Sequence, residues 1–174
     1  MEVSPLILTL ALNKEAFAFF DSLRRTYFPA ERNFLQAHLT LFHHLPPHAA
    51  GIEETIHFHS SSHEVLLLQV TDVVSIGKGV AFKIESVQLQ KLHKALQEKW
   101  YALLTPQDRQ KLWPHITVQN KVAPAVAKET LNVLRSSFQP FTIYGTGLSL
   151  WSYEGGPWRF IKTFPFQPAS QFPE

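Results

Sequence analysis

His38-Leu39-Thr40-Leu41 and His115-Ile116-Thr117-Val118 carry one pattern, histidine, aliphatic, threonine, aliphatic, 115 − 38 = 77 residues apart. In an extended strand successive side chains point to opposite faces. Each copy therefore sets a histidine and a threonine on one face and two aliphatics on the other. The aliphatic face calls for a core, which leaves the histidine and threonine facing a cleft. The chain has nine histidines, so one His-x-Thr triplet is ordinary. Two copies flanked by aliphatics arise by chance only about once in a hundred such chains.

Outward from the first copy, Leu6 to Leu12 reads as a buried strand. Lys14 to Tyr27 reads as an amphipathic helix, with Ala16, Phe20, Leu23 and Tyr27 at helical spacing. Asn13 suits its N-cap and Pro29 its end. Ala37 to Phe42 is the first motif strand, closed by Pro46-Pro47. A short helix is expected from Ala49 to His59. Val65 to Ile76 and Val80 to Ile84 form a hairpin about Gly77-Lys78-Gly79. Val87 to Leu104 is helical, with Leu89, Leu92, Leu96 and Trp100 in phase. Thr105-Pro106-Gln107-Asp108 offers an N-cap and a first-turn proline, which predicts a short helix leading to Trp113. Trp113 to Val122 is the second motif strand and Pro124 to Phe138 a helix. Phe141 to Tyr153 and Trp158 to Phe166 close the chain as a hairpin around Glu154-Gly155-Gly156-Pro157. The tail from Gln167 is expected to be loose.

Composition narrows the options. Hydrophobic residues make up 45% of the 174, with 14 Phe and four Trp, enough to build a packed core. There is no cysteine, which excludes a disulfide framework, a thiol nucleophile and any Cys-ligated zinc. It also fits a reducing, cytoplasmic setting. The run Leu6 to Leu12 is far too short to span a bilayer, and Met1 to Asn13 lacks the basic start of a leader. A net charge of +2 suits an anionic ligand without indicating broad electrostatic binding of nucleic acid.

The paired His-x-Thr strands resemble the signature of the two-histidine (2H) phosphoesterase superfamily. In length, motif spacing and element order the chain is similar to its 2′-5′ RNA ligase branch, the RNA 2′,3′-cyclic phosphodiesterases. The resemblance implies an α+β fold of two pseudo-symmetric lobes. Each lobe would be an antiparallel sheet with helices on its outer face, and the two would enclose a central cleft. Residues 1–174 would form a single bilobal domain, acting as a monomer. It implies hydrolysis of a 2′,3′-cyclic phosphate to a 2′-phosphate, with 2′-5′ joining as the reverse reaction. His38 would be acid to the leaving ribose oxygen and His115 base to water.

The chemistry of the pair agrees with that expectation. Opening a cyclic phosphodiester needs a base for water, an acid for the leaving oxygen, and donors for the charged phosphoryl oxygens. Attack and departure are roughly in line, so the two proton carriers should flank phosphorus. Imidazoles titrate near neutrality and suit both tasks. Thr40 and Thr117 can donate to the non-bridging oxygens. No metal or other cofactor is required.

Further candidates follow from position. Phe42 continues the first motif face and Gln119 the second, which makes them candidate contacts to a base, ribose or phosphate. Lys121 is a candidate contact to an anionic substrate, as are Lys78 and Arg159, with solvated surface charge the plainer reading of all three. Trp113 and Trp158 read best as core, with a nucleobase platform the alternative. Seven of the nine histidines lie between His38 and His63. No HExxH spacing accompanies them, so exposed loop residues are expected rather than a metal site. The expected partner is an RNA 3′ end or a small nucleotide bearing a cyclic phosphate, with no membrane involved. A non-catalytic nucleotide- or RNA-binding module on the same fold is the alternative, and a structural protein a third reading.

Overall fold

A computed structural model describes residues 3–170 of the protein. Seven strands are present among them: β1 (Leu6–Leu12), β2 (Leu39–Leu45), β3 (Leu66–Ser75), β4 (Val80–Glu85), β5 (His115–Gln119), β6 (Phe141–Tyr153) and β7 (Trp158–Pro165). Four α-helices connect them: α1 (Lys14–Tyr27), α2 (Ile52–Ser62), α3 (Val87–Trp100) and α4 (Pro124–Ser136). All strand pairs are antiparallel. The fold is therefore α+β. No helix among the described residues is long and apolar enough to cross a membrane.

The strands form one sheet in the order β2-β1-β6-β3-β4-β5, with β7 added beside β6. Exchanging β1, β2 and β3 with β4, β5 and β6 reverses this order and leaves it otherwise unchanged. The two halves are thus related by a pseudo-twofold passing between β6 and β3. They share a continuous sheet because those central strands pair from Leu66↔Gly145 to Val70↔Phe141. The motif strands β2 and β5 end the sheet, and its curl brings them into contact.

The core follows from alternation. Leu8, Leu10, Leu39, Leu41, Ile116, Val118, Leu148 and Leu150 are buried on the helix-covered side. Phe20 of α1 and Leu89, Leu92 and Leu96 of α3 pack into the same cluster. The other face of the sheet is polar where β1, β6 and β7 meet, with Thr9, Ser149 and Thr163 lining a cavity.

Two expectations change. The segment after Thr105 is not a helix: Arg109 N donates to the Thr105 carbonyl at 3.1 Å, and the winding stops after that turn. The tail from Gln167 is tied at its start, because Gln167 N donates to the His63 carbonyl at 2.8 Å and Val65 N to that of Gln167 at 3.0 Å. Residues 171–174 of that tail lie outside the described residues. The Gly77 turn is present at φ +87°. Gly79 lies so close to β5 that a Cβ there would overlap the Gln119 carbonyl.

Candidate active site

Each motif strand breaks its alternation at the same place. Thr40 pairs with Thr9, but the next pair is Phe42 with Leu8. Thr117 pairs with Ala81, but the next pair is Gln119 with Val80. Both strands therefore carry one extra residue directly after the motif threonine, which is a β-bulge. Up to the threonine the pattern holds. Leu39 and Ile116 are buried, while His38, Thr40, His115 and Thr117 keep partial exposure on the opposite face.

The bulges relocate two candidates. Phe42 turns into the core, fully buried, its ring stacked on His93 at 4.6 Å and edge-on to Trp100 at 5.2 Å. Gln119 turns inward too, and its Nε2 donates to Thr130 Oγ1 of α4 at 2.8 Å. Neither is a cleft contact. Lys121 sits exposed in the turn after β5 at φ +63°, and among the described residues no contact ties it to either histidine. Arg159 pairs with Glu154 at 3.2 Å and Lys78 lies in the β4 turn.

The two histidines are held alike. Nδ1 of His38 lies 2.7 Å from the Gln36 carbonyl, and Nδ1 of His115 lies 2.7 Å from the Trp113 carbonyl. A carbonyl only accepts, so each Nδ1 carries a proton and each Nε2 is left as the free nitrogen. Among the described residues neither motif threonine hydroxyl has a protein partner. Burial pushes the His38 pKa down to about 4, against the hydrogen bond to Gln36, and the charges of Arg24, His115 and His43 push the same way. Burial also lowers His115, opposed by its Trp113 bond, with His43 adding to the effect. The charge of His115 thus reaches the His38 ring, and burial favours the neutral form of both imidazoles.

Several participants were not visible in the motifs. His43 follows the first bulge and so reaches both motif histidines electrostatically. It is fixed by Asp108, whose carboxylate accepts from His43 N at 2.9 and 3.0 Å and from His44 N at 2.9 Å, and lies 3.2 Å from His43 Nδ1. Arg24 of α1 joins the two halves. Its Nε donates to Asn33 Oδ1 and to the Leu35 carbonyl, and its Nη1 to the Thr117 carbonyl at 3.1 Å. His93 of α3 donates from Nε2 to the Leu41 carbonyl at 3.0 Å. The tryptophans expected in the core instead flank the site. Trp158 lies 4.7 Å from the His38 ring, and Trp113, 45% exposed, stacks on His115 at 4.2 Å and 24°. A cavity of about 470 Å³ adjoins His38, walled by Phe34, Trp158 and Phe160.

Residues 12–157 match the family model for the 2′-5′ RNA ligase superfamily. The chain belongs to that superfamily. Among solved structures it is similar to TT0787 of Thermus thermophilus, at 16% identity and a TM-score of 0.67 over 93% of this chain and 97% of that one. It is similar also to Escherichia coli LigT solved with 3′-AMP, at 18% identity and a TM-score of 0.60 over 95% and 99%. LigT solved with NADP+ matches at 17% identity and a TM-score of 0.59, again over 95% and 99%. At these identities the likeness establishes a shared fold. No curated protein matches the chain in sequence. In this member of the 2′-5′ RNA ligase superfamily the two His-x-Thr strands are the terminal strands of the main sheet path, brought together by its curl.

Proposed function

We propose that the protein is a cyclic phosphodiesterase that opens 2′,3′-cyclic phosphates to 2′-phosphates, with 2′-5′ joining as the reverse. One observation carries this reading. Two imidazoles are held by the same Nδ1–carbonyl bond at 2.7 Å, each beside an unpartnered threonine hydroxyl, across a pseudo-twofold. An in-line displacement needs two proton carriers flanking phosphorus, and this matched pair supports that reading.

His115 Nε2 takes a proton from water as its oxygen bonds to phosphorus. The P–O3′ bond breaks, and His38 Nε2 gives its proton to the ribose oxygen. Thr40 and Thr117 donate to the non-bridging oxygens. The aromatic cavity beside His38 supports this direction, since the leaving ribose and its base belong on that side. The acid takes up its proton from solvent as the substrate binds, because a phosphate anion beside the ring favours the imidazolium. That LigT structures hold 3′-AMP and NADP+ is consistent with a nucleotide ligand.

Purified protein assayed on 2′,3′-cyclic nucleotides should turn them over to 2′-phosphates. His38→Ala and His115→Ala should each lose on the order of 10²–10⁴-fold, and Thr40→Ala and Thr117→Ala less. An aryl phosphodiester, whose leaving group needs no proton, should rescue His38→Ala only. Rescue of His115→Ala would exchange the two roles. Absence of turnover on any cyclic phosphate, with nucleotide binding retained, would leave a binding module.

A further inference from the structure

The proposed reaction leaves negative charge on two non-bridging oxygens, and fixed donors stabilise it best when they are cationic. The paired motifs bring two neutral hydroxyls to those oxygens. Two cations that the fold sets near the pair are already engaged. Arg24 is buried, and its guanidinium is taken up by Asn33, Leu35 and Thr117. Lys83, the cross-strand partner of His115, pairs with Glu85 at 3.2 Å.

The first motif strand offers a third imidazole. Cross-strand partners share a face of the sheet, and Thr40 pairs with Thr9 while Phe42 pairs with Leu8. Phe42 is buried in the core, so His43, the next residue, returns to the face of His38 and Thr40. The bulge also shortens its distance, because two residues of β2 pass one of β1. His43 therefore stands about 7 Å along the strand from Thr40, the spacing of ordinary same-face neighbours. Its side chain is 46% exposed. The Asp108 carboxylate lies 3.2 Å from His43 Nδ1, and its lowered pKa keeps it ionised and an acceptor only. Nδ1 thus carries a proton, and Nε2 is the free nitrogen, with no protein partner among the described residues. His38 and His115 present themselves in the same way. The charge of His43 reaches His115, His38 and the buried His93 of α3, so these three and Asp108 are the titratable groups around it. The second half has no counterpart. The matching position, 115 + 5 = 120 against 38 + 5 = 43, is Asn120, whose Oδ1 accepts from Lys121 N at 2.8 Å.

We propose that His43 is a further phosphate-binding residue of the site, held by Asp108 at Nδ1 and donating from Nε2 to a non-bridging oxygen of the cyclic phosphate and of its product. This rests on the reading above for where the phosphate lies, but the binding stands apart from turnover. Nε2 takes a proton from solvent as the anion arrives, because a phosphate oxygen beside the ring favours the imidazolium. No covalent bond to phosphorus is made or broken at His43. It contributes one charge-assisted hydrogen bond from a ring that Asp108 has already oriented.

Two substitutions separate that contact from the Asp108 bond. In His43→Asn the amide nitrogen takes the place of Nδ1 and nothing replaces Nε2. In His43→Gln the amide nitrogen reaches the place of Nε2 and the Asp108 bond is lost. His57→Asn on α2 is the control for loss of an imidazole elsewhere. The full chain is titrated by calorimetry with inorganic phosphate and with a nucleoside 2′-monophosphate, melting temperatures are recorded, and kcat/KM is measured on a 2′,3′-cyclic nucleotide. His43→Asn should melt close to wild type yet lose about tenfold or more in affinity for both anions and in kcat/KM. His43→Gln should melt lower and keep more of the affinity. The control should stay within about twofold of wild type throughout. The reverse order, with His43→Asn equal to wild type and His43→Gln impaired, would show that His43 only braces β2 and would overturn the proposal. Wild type that binds neither anion would overturn it as well. Anion binding that needs Nε2, without turnover of any cyclic phosphate, would sink the proposed reaction and leave His43 standing. Turnover that needs His38 and His115 but is unchanged in His43→Asn would do the opposite.

Discussion

Burial holds His38 neutral, while the proposed reaction needs the ring with its proton. In the unfolded chain the ring titrates at 6.5, and in the fold at about 4. Between those values the unfolded state binds a proton that the folded state does not, so stability falls as pH drops from 6.5 to about 4. The lowered pKa of His115 adds to the same slope. Inorganic phosphate should bind the protonated pair and offset much of the fall. Urea midpoints measured across that range, with and without phosphate, check this. Equal slopes in both buffers, or in His38→Asn and wild type, would show that the titrating groups lie elsewhere. This scale was only half legible beforehand. Alternation places His38, Thr40, His115 and Thr117, but it carries on to Phe42 and Gln119, where a bulge turns the next side chain inward. A one-residue insertion in pairing leaves no mark in hydrophobicity, because Leu41-Phe42 and Val118-Gln119 look like ordinary strand.

Beyond its first bulge β2 is held by a loop far away in the chain. Asp108 is 3% exposed, and its carboxylate is the acceptor for the backbone N–H groups of His43 and His44, at a second register shift in β2 between the pairs Phe42↔Leu8 and Leu45↔Leu6. Burial opposes its charge, but the bonds from His43 and His44 outweigh that and hold its carboxyl below the usual range. Asp108→Ala strands those donors and should destabilise the protein by about 3 kcal/mol. It should also lower kcat through the loosened β2, and Asp108→Asn should restore part of the stability because its amide oxygen still accepts. A loss in Asp108→Ala below about 0.5 kcal/mol would mean that the bulge holds itself. Most elements were readable from periodicity and punctuation, including β1, α1, α3, α4 and the β6–β7 hairpin. The segment from Thr105 was not. Its N-cap and proline signals are genuine, but they start a single turn, because Asp108 is drawn to β2 and Gln97 of α3 donates to the Asp108 and Gln110 carbonyls. Tertiary partners decided what local propensity left open.

At the scale of the molecule the two halves keep the same strand order and the same bulge while their surroundings diverge. The proposed chemistry uses two imidazoles and two hydroxyls. Among the described residues no three His, Asp or Glu side chains gather as a metal-holding group. Turnover should therefore be unchanged after dialysis against EDTA. Restoration of a chelator-sensitive activity by one divalent ion would move attention to the histidine-rich segment of α2. The sequence disclosed the repeat through two short motifs only, since the symmetric contacts are made by unlike residues. Arg24 and Gln97 occupy matching places in α1 and α3, each bonding the loop ahead of a motif strand.

A sheet that stops short of closing leaves the motif strands β2 and β5 as edges, and an open edge invites pairing with another copy of the chain. In this protein the helices stand guard from the side, Arg24 of α1 on the Thr117 carbonyl and His93 of α3 on that of Leu41. Desolvation lowers the Arg24 pKa to about 10, yet it stays charged at pH 7. Arg24→Met should free the β5 edge and promote aggregation on mild heating beyond what its loss of stability accounts for. Light scattering compared with Phe20→Leu, matched for distance below the melting temperature, reads this out. Equal scattering from the two would show that the edge was never the hazard. The edge strands that carry the proposed phosphate site are the same edges through which the protein could polymerise, and one buried arginine lies across one of them.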